Sequence, residues 1–208
     1  MVLIFQKLLR GTAINTIGLF IITLINILII PINLNYLGIE KFGLVVTASI
    51  FSIVGLISML DFGIPGALTR VIASQTSKNE SKERFQLVIS CLILFFFIGI
   101  FCSTILVYFS DFIVSNILNI PSHLSNDFIF AFELLLISYI FHFPLLILKS
   151  IFLGLGLFGH VQFSSVLAEL SRLFIILFLI QNEMNFDMFI IANSYTALLS
   201  FIYLIIFL

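Results

Sequence analysis

Apolar runs of about twenty residues follow one another along this chain with scarcely a polar break. At about 1.5 Å of rise per residue, a helix of that length crosses the ~30 Å hydrocarbon core of a bilayer. Hydrophobic residues are 62% of the 208 residues and charged residues 9%, where a soluble domain carries roughly a quarter charged. A soluble fold could not hide that much apolar surface. The chain therefore reads as an all-α, polytopic protein whose first partner is the lipid bilayer. It has room for about six transmembrane helices and none for a folded soluble domain. A net charge of −1 offers nothing to nucleic acid.

The expected spans are 11–36, 42–60, 85–109, 128–148, 161–180 and 188–208, one bundle over residues 1–208. Pro31 should kink the first of them. The run from Thr12 to Ile30 is too long for the apolar core of a signal peptide, and no small-x-small site follows it, so it reads as a retained helix. The second span meets Asp61-Phe-Gly-Ile-Pro-Gly66, which should bend or break it. Ser74 to Arg84 is the hydrophilic loop, with Ser77 and Glu80 spaced as a capping box. Cys91 and Cys102 share one run; on one helix they lie about 16 Å apart, too far for a disulfide. The chain stops inside the apolar run Phe201–Leu208 with no basic anchor, so the sequence is expected to be truncated.

Lys and Arg placement orients the bundle. With the N-terminus in the cytoplasm and alternating spans, the inner ends collect Lys7, Arg10, Arg70, Lys78, Lys82, Arg84 and Lys149. The outer ends collect Lys41 beside Glu40, Asp111, Asp127, Glu183 and Asp187.

Inside the spans, polar residues fall on stripes. At about 100° per residue, Thr12, Asn15, Thr16, Thr23 and Asn26 occupy an arc of about 100° on the first span. Gln162, Ser165, Glu169 and Arg172 occupy about 80° on the fifth, and Asn193, Thr196, Ser200 and Tyr203 a similar arc on the sixth. Such stripes serve either interhelical hydrogen bonding, worth ~0.6 kcal/mol per contact, or a hydrated cavity. Glu169 and Arg172 favour the cavity. Arg172 lies about eleven residues into its span, near the midplane, where an arginine costs about 2.5–3.5 kcal/mol. Glu169 sits three residues before it and can pair with it. A guanidinium fork suits phosphate or pyrophosphate, because it donates two parallel bonds and keeps its charge.

Asp61 closes the second span just before Gly63, Pro65 and Gly66, as at the interrupted helix ends of transporter ion sites or hinges. Glu133 and His142, nine residues apart on the fourth span, point about 180° apart, so at most one faces a cavity. The chain carries no HExxH, GxSxG, P-loop or CxxC pair. No catalytic residue, metal or cofactor is expected.

The segment Tyr36-Leu-Gly-Ile-Glu-Lys-Phe-Gly43, followed by Leu60-Asp-Phe-Gly63 and Thr69-Arg70, resembles the N-terminal region of Wzx-type flippases. These are polysaccharide exporters of the multidrug/oligosaccharidyl-lipid/polysaccharide superfamily. The best match covers about Arg10 to Ser74. The resemblance implies one six-helix lobe of a two-lobed carrier in the bacterial inner membrane, with the other lobe missing here. Its cargo would be undecaprenyl-pyrophosphate-linked oligosaccharide, an O-antigen or other polysaccharide repeat unit, moved outward. Its partners would be that lipid-linked oligosaccharide and the polysaccharide polymerase or export machinery. Arg172, Glu169, Asn15, Asn26, Asp61 and Arg70 are the candidate substrate or cavity residues. Three other readings stay open. A multidrug exporter of the same superfamily would favour acidic cavity residues. An O-antigen polymerase would need a larger external loop. A non-functional membrane remnant would fit the abrupt C-terminus.

Overall fold

The structure, a computed structural model, describes residues 2–49, 63–75, 81–118, 120–183 and 186–208. The architecture is all-α and polytopic. Among the described residues there is no β-strand, and five helical stretches are long and apolar enough to cross a membrane.

Helix α1 (Val2–Ser49) is not one straight rod. Gly38, in the Tyr-Leu-Gly motif, adopts φ 77° and ψ 168°, a region that only glycine enters without strain. Pro31, the expected kink, stays within the helical run. The arm beyond Gly38 turns over the bundle. Lys41 Nζ lies 3.8 Å from Asp127 Oδ2 and 5.1 Å from the centre of the Phe186 ring. Leu44, Val45 and Ala48 are buried in the main core. That arm opens the expected second span, of which residues 50–60 lie outside the described residues.

Helix α2 (Ile64–Gln75) follows Gly63, which has φ 69°. Helix α3 (Ser81–Tyr108) starts four residues before the expected boundary at 85. A short helix, Ser110–Phe112, and a π-helical turn, Ile113–Ile117, extend it. The expected fourth span is two helices, α4 (Ser125–Ile137) and α5 (Tyr139–Gly154), broken at Ser138. Hydroxyls take up carbonyls at this break: Ser138 Oγ donates to Leu135 O at 2.5 Å, and Ser103 of α3 donates to Leu136 O at 2.7 Å. Helix α5 ends in a Schellman motif, with Leu157 N–H on Phe152 O at 2.8 Å, Gly156 N–H on Leu153 O at 3.0 Å, and Gly156 at φ 74°. Helices α6 (Phe158–Gln181) and α7 (Phe186–Ile206) complete the bundle.

The α4–α5 column is the axis of packing. Of its most apolar window 59% is buried, against 17–33% in the other spans. Phe95, Phe128, Phe132, Phe143 and Phe152 fill the space around it. Phe95 on α3 meets Phe143 on α5 at 6.4 Å between ring centres, and Ser103 meets Leu136, so α3 runs antiparallel to the column. Ser164 with Ser200 and Ser171 with Tyr195 set α6 antiparallel to α7. Asn15 with Gln162 and Asn26 with Arg172 set α1 parallel to α6. Helix α1 can approach α6 closely because it offers glycines: a Cβ on Gly11 would stand 2.8 Å from the Phe158 ring. Bulky side chains such as Phe20, Phe97, Phe101, Phe174 and Phe178 face outward. In hydrocarbon that exposure costs nothing, since lipid tails are as apolar as the side chains.

Candidate functional site

A cavity of about 380 Å³ opens between α1, α5, α6 and α7. Its polar lining is Asn15 from α1, His142 and Lys149 from α5, Gln162, Ser165 and Glu169 from α6, and Thr196 and Ser200 from α7. Apolar residues such as Leu19, Leu145 and Val161 separate these groups.

The α6 contribution follows from helical spacing. Residues 162, 165, 169 and 172 recur at intervals of three or four, so they form one ridge. All four are half-buried against the bundle. Arg172 Nη2 lies 2.7 Å from Glu169 Oε2, with side-chain exposures of 15% and 20%. The same Nη2 donates to Asn26 Oδ1 on α1. Nη1 reaches Asn193 Oδ1 on α7 at a long 3.4 Å, while Asn193 Nδ2 donates to Phe189 O at 2.7 Å. Arg172 thus ties three helices. Because α6 begins at Phe158 rather than at 161, Arg172 lies about 21 Å along it and about 14 Å from its far end, still within the hydrocarbon.

Glu169 lines the cavity and Arg172 stands behind it. Arg172 follows Glu169 by about one turn along α6, at the edge of the open volume. Lys149 lines the same cavity from α5. By formal charge Lys149 and Glu169 cancel within the lining, and Arg172 just outside it leaves an excess of one positive charge. The imbalance suits an anionic guest.

Besides Glu169 Oε2, which has only its ion pair with Arg172, two buried polar atoms of the lining have no hydrogen-bond partner: Gln162 Oε1 and His142 Nδ1. Gln162 spends its amide nitrogen on Asn15 Oδ1, leaving its oxygen to accept. Buried polar groups are rarely left so. Here they offer hydrogen bonds to a guest that carries hydroxyls. Beyond Arg172, a second apolar cluster of Ile25, Ile29, Ile176, Leu179, Phe189 and Ala192 closes the α1–α6–α7 interface, with Tyr36 stacked on Phe189 at 5.0 Å.

Of the residues singled out from sequence, Asn15 and Glu169 line the cavity, and Asn26 and Arg172 meet just behind it. Arg70 is exposed on α2 and is not part of the lining. Asp61 lies outside the described residues. Of the opposed pair on the fourth span, His142 faces the cavity, while Glu133 accepts from Ser110 Oγ at 2.7 Å. The α6 and α7 stripes turn inward whole, but Thr12, Thr16 and Thr23 at the edges of the α1 arc are exposed. Thr23 returns its hydroxyl to Leu19 O at 2.9 Å, which makes that exposure tolerable.

The sequence pattern ends the fourth span at Leu148 and so puts Lys149 at an inner flank. Helix α5 continues to Gly154, about 9 Å further, and that places Lys149 inside the bundle. The signal was the apolar Ile151-Phe-Leu153 that follows it.

No family model matches the chain, and no curated protein or solved structure is found similar to it.

Proposed function

We propose that this membrane protein forms one lobe of a carrier that moves a lipid-linked, anionic oligosaccharide from the cytoplasmic to the outer leaflet of a bacterial inner membrane. The cargo class is a polyprenyl-pyrophosphate sugar, undecaprenyl-pyrophosphate by the resemblance of Tyr36–Gly43, Leu60–Gly63 and Thr69-Arg70 to Wzx-type flippases. The N-terminus lies in the cytoplasm, by the bias of Lys and Arg to one set of helix ends.

The observation that carries this reading is a polar cavity within an apolar bundle, with a surplus cation at its edge. By formal charge Lys149 offsets Glu169 in the lining, and Arg172, paired with Glu169 just outside it, adds one positive charge. Intramembrane charges are costly and mark transport paths by default. In use, the headgroup enters the cavity while the prenyl tail stays in lipid. The guanidinium grips phosphate oxygens in pairs. Gln162 Oε1, Asn15, Thr196 and Ser200 meet sugar hydroxyls. Rocking of this lobe against a facing wall then changes the side to which the cavity opens.

The test is complementation of a flippase-null strain by this lobe in a two-lobed form, with membrane levels of each variant checked by blot. Arg172→Ala should abolish surface polysaccharide and Arg172→Lys should restore it only in part, because an ammonium binds as a point charge without the fork. Normal polysaccharide with Arg172→Ala removes Arg172 from the mechanism.

A second reading, export of cationic drugs, draws on Glu169, the group that lines the cavity itself. Under it, Glu169→Gln should lose drug resistance while Arg172→Ala keeps it.

A further inference from the structure

The cavity and its strongest cation are not in direct contact. Glu169 lines the open volume, and Arg172, 2.7 Å from its carboxylate, does not. A guest that enters from the cavity therefore meets a carboxylate before it meets the guanidinium. Lys149 lines the same volume from α5.

We infer that Glu169 is a built-in substitute for the guest's anionic group. It holds the Arg172 fork while the cavity is empty and is displaced when a doubly charged headgroup bridges Arg172 and Lys149. The inference rests on the anion-carrier reading above and adds the charge class of the headgroup and the means of its release.

The argument is one of charge and geometry. An unpaired arginine at this depth is costly, so the empty site needs an internal anion. A carboxylate and a phosphate present the same pair of oxygens to a guanidinium. The two compete for one position. Arg172 does not depend on Glu169 alone for its place, since Asn26 and Asn193 hold its other contacts. The fork therefore stays aimed when the carboxylate leaves. With Glu169 turned aside, two cations face the cavity, a match for the two charges of a pyrophosphate diester and an excess for one phosphate. Return of the carboxylate evicts the headgroup, so binding stays reversible.

The test is equilibrium binding of inorganic pyrophosphate and of inorganic phosphate to the full chain in lipid nanodiscs. Glu169→Gln should bind pyrophosphate about ten- to a hundredfold more tightly than the parent, the size of one charge-assisted hydrogen bond no longer contested. Lys149→Gln should weaken pyrophosphate binding and erase its preference over phosphate. Arg172→Ala should lose both ligands. Should Glu169→Gln fail to reach the membrane, Glu169→Asp serves instead: its shorter side chain reaches the fork less well, and a smaller tightening is expected. Unchanged or weaker pyrophosphate binding in a folded Glu169 variant, with loss in Arg172→Ala, overturns the counter-ion role and leaves the anion carrier standing. No preference for pyrophosphate over phosphate in the parent overturns the two-charge site. Absence of binding in the parent and in every Glu169 variant overturns both readings.

Discussion

The two sides of this bundle are built from the same hydrophobic alphabet and solve packing differently. Around α4–α5, facing α3, the contact is aromatic and dry, with Phe95, Phe128, Phe132, Phe143 and Phe152 almost without exposure. Between α1, α6 and α7 the contact alternates: a polar stretch from Asn15 to Asn26, then the apolar cluster of Ile25, Ile29 and Phe189. The first side gains from dispersion and close fit, which matter in lipid because no hydrophobic force drives helices together there. Both sides leave hollows, about 380 Å³ beside Ser103 and Ile137 and about 380 Å³ beside Glu169, but the second lines its hollow with charged groups and unpartnered polar atoms, which packing alone does not require.

Four substitutions can break or sharpen that contrast. The largest stability loss should come from Phe143→Ala on the dry side, about 3 kcal/mol from the cavity it leaves in a column that cannot collapse. Mixed-micelle unfolding reads it, and a loss no greater than in the seam would erase the distinction. Gly38→Ala should follow at about 1–3 kcal/mol, because φ 77° and ψ 168° lie where a Cβ is strained; a melt of unchanged midpoint would mean that the turn relaxes. Ser103→Ala should cost about 1 kcal/mol by leaving Leu136 O, buried beside the Ser138 break, without its hydroxyl. Amide exchange in α5 should rise with it. The smallest stability effect belongs to the polar side. Asn15→Leu should cost only ~0.6 kcal/mol of stability, yet under the carrier function proposed above it should depress transport, because it removes a group that lines the cavity. A large stability loss there would reclassify the seam as scaffold.

Much of the fold was legible because bilayers impose length and periodicity. The apolar runs located α3, α6 and α7 within a few residues, and the 100° arithmetic placed Gln162, Ser165, Glu169 and Arg172 on one inward ridge. The Glu169–Arg172 pair followed from spacing alone. The turn at Gly38 falls between the first two expected spans, 11–36 and 42–60, where the Tyr-Leu-Gly motif puts it. Two features were not legible, each for a physical reason. The Ser138 break is hidden because hydroxyls repair the backbone there, leaving no polar run in the sequence. Lys149 was misplaced because a basic residue is the ordinary mark of a helix end in membranes, and here the helix continues past it.

The parallel pairing of α1 and α6 has a mechanical meaning. Its two polar rungs, Asn15–Gln162 and Asn26–Arg172, are set about 16 Å apart along α1 and about 15 Å apart along α6. Two pins at nearly equal spacing key one shaft to another. If α1 slid by one turn, about 5.4 Å, or rotated against α6, both rungs would part at once. Whatever gating this bundle performs, α1 and α6 should therefore travel as a single lever, with the hinge lying elsewhere in the chain.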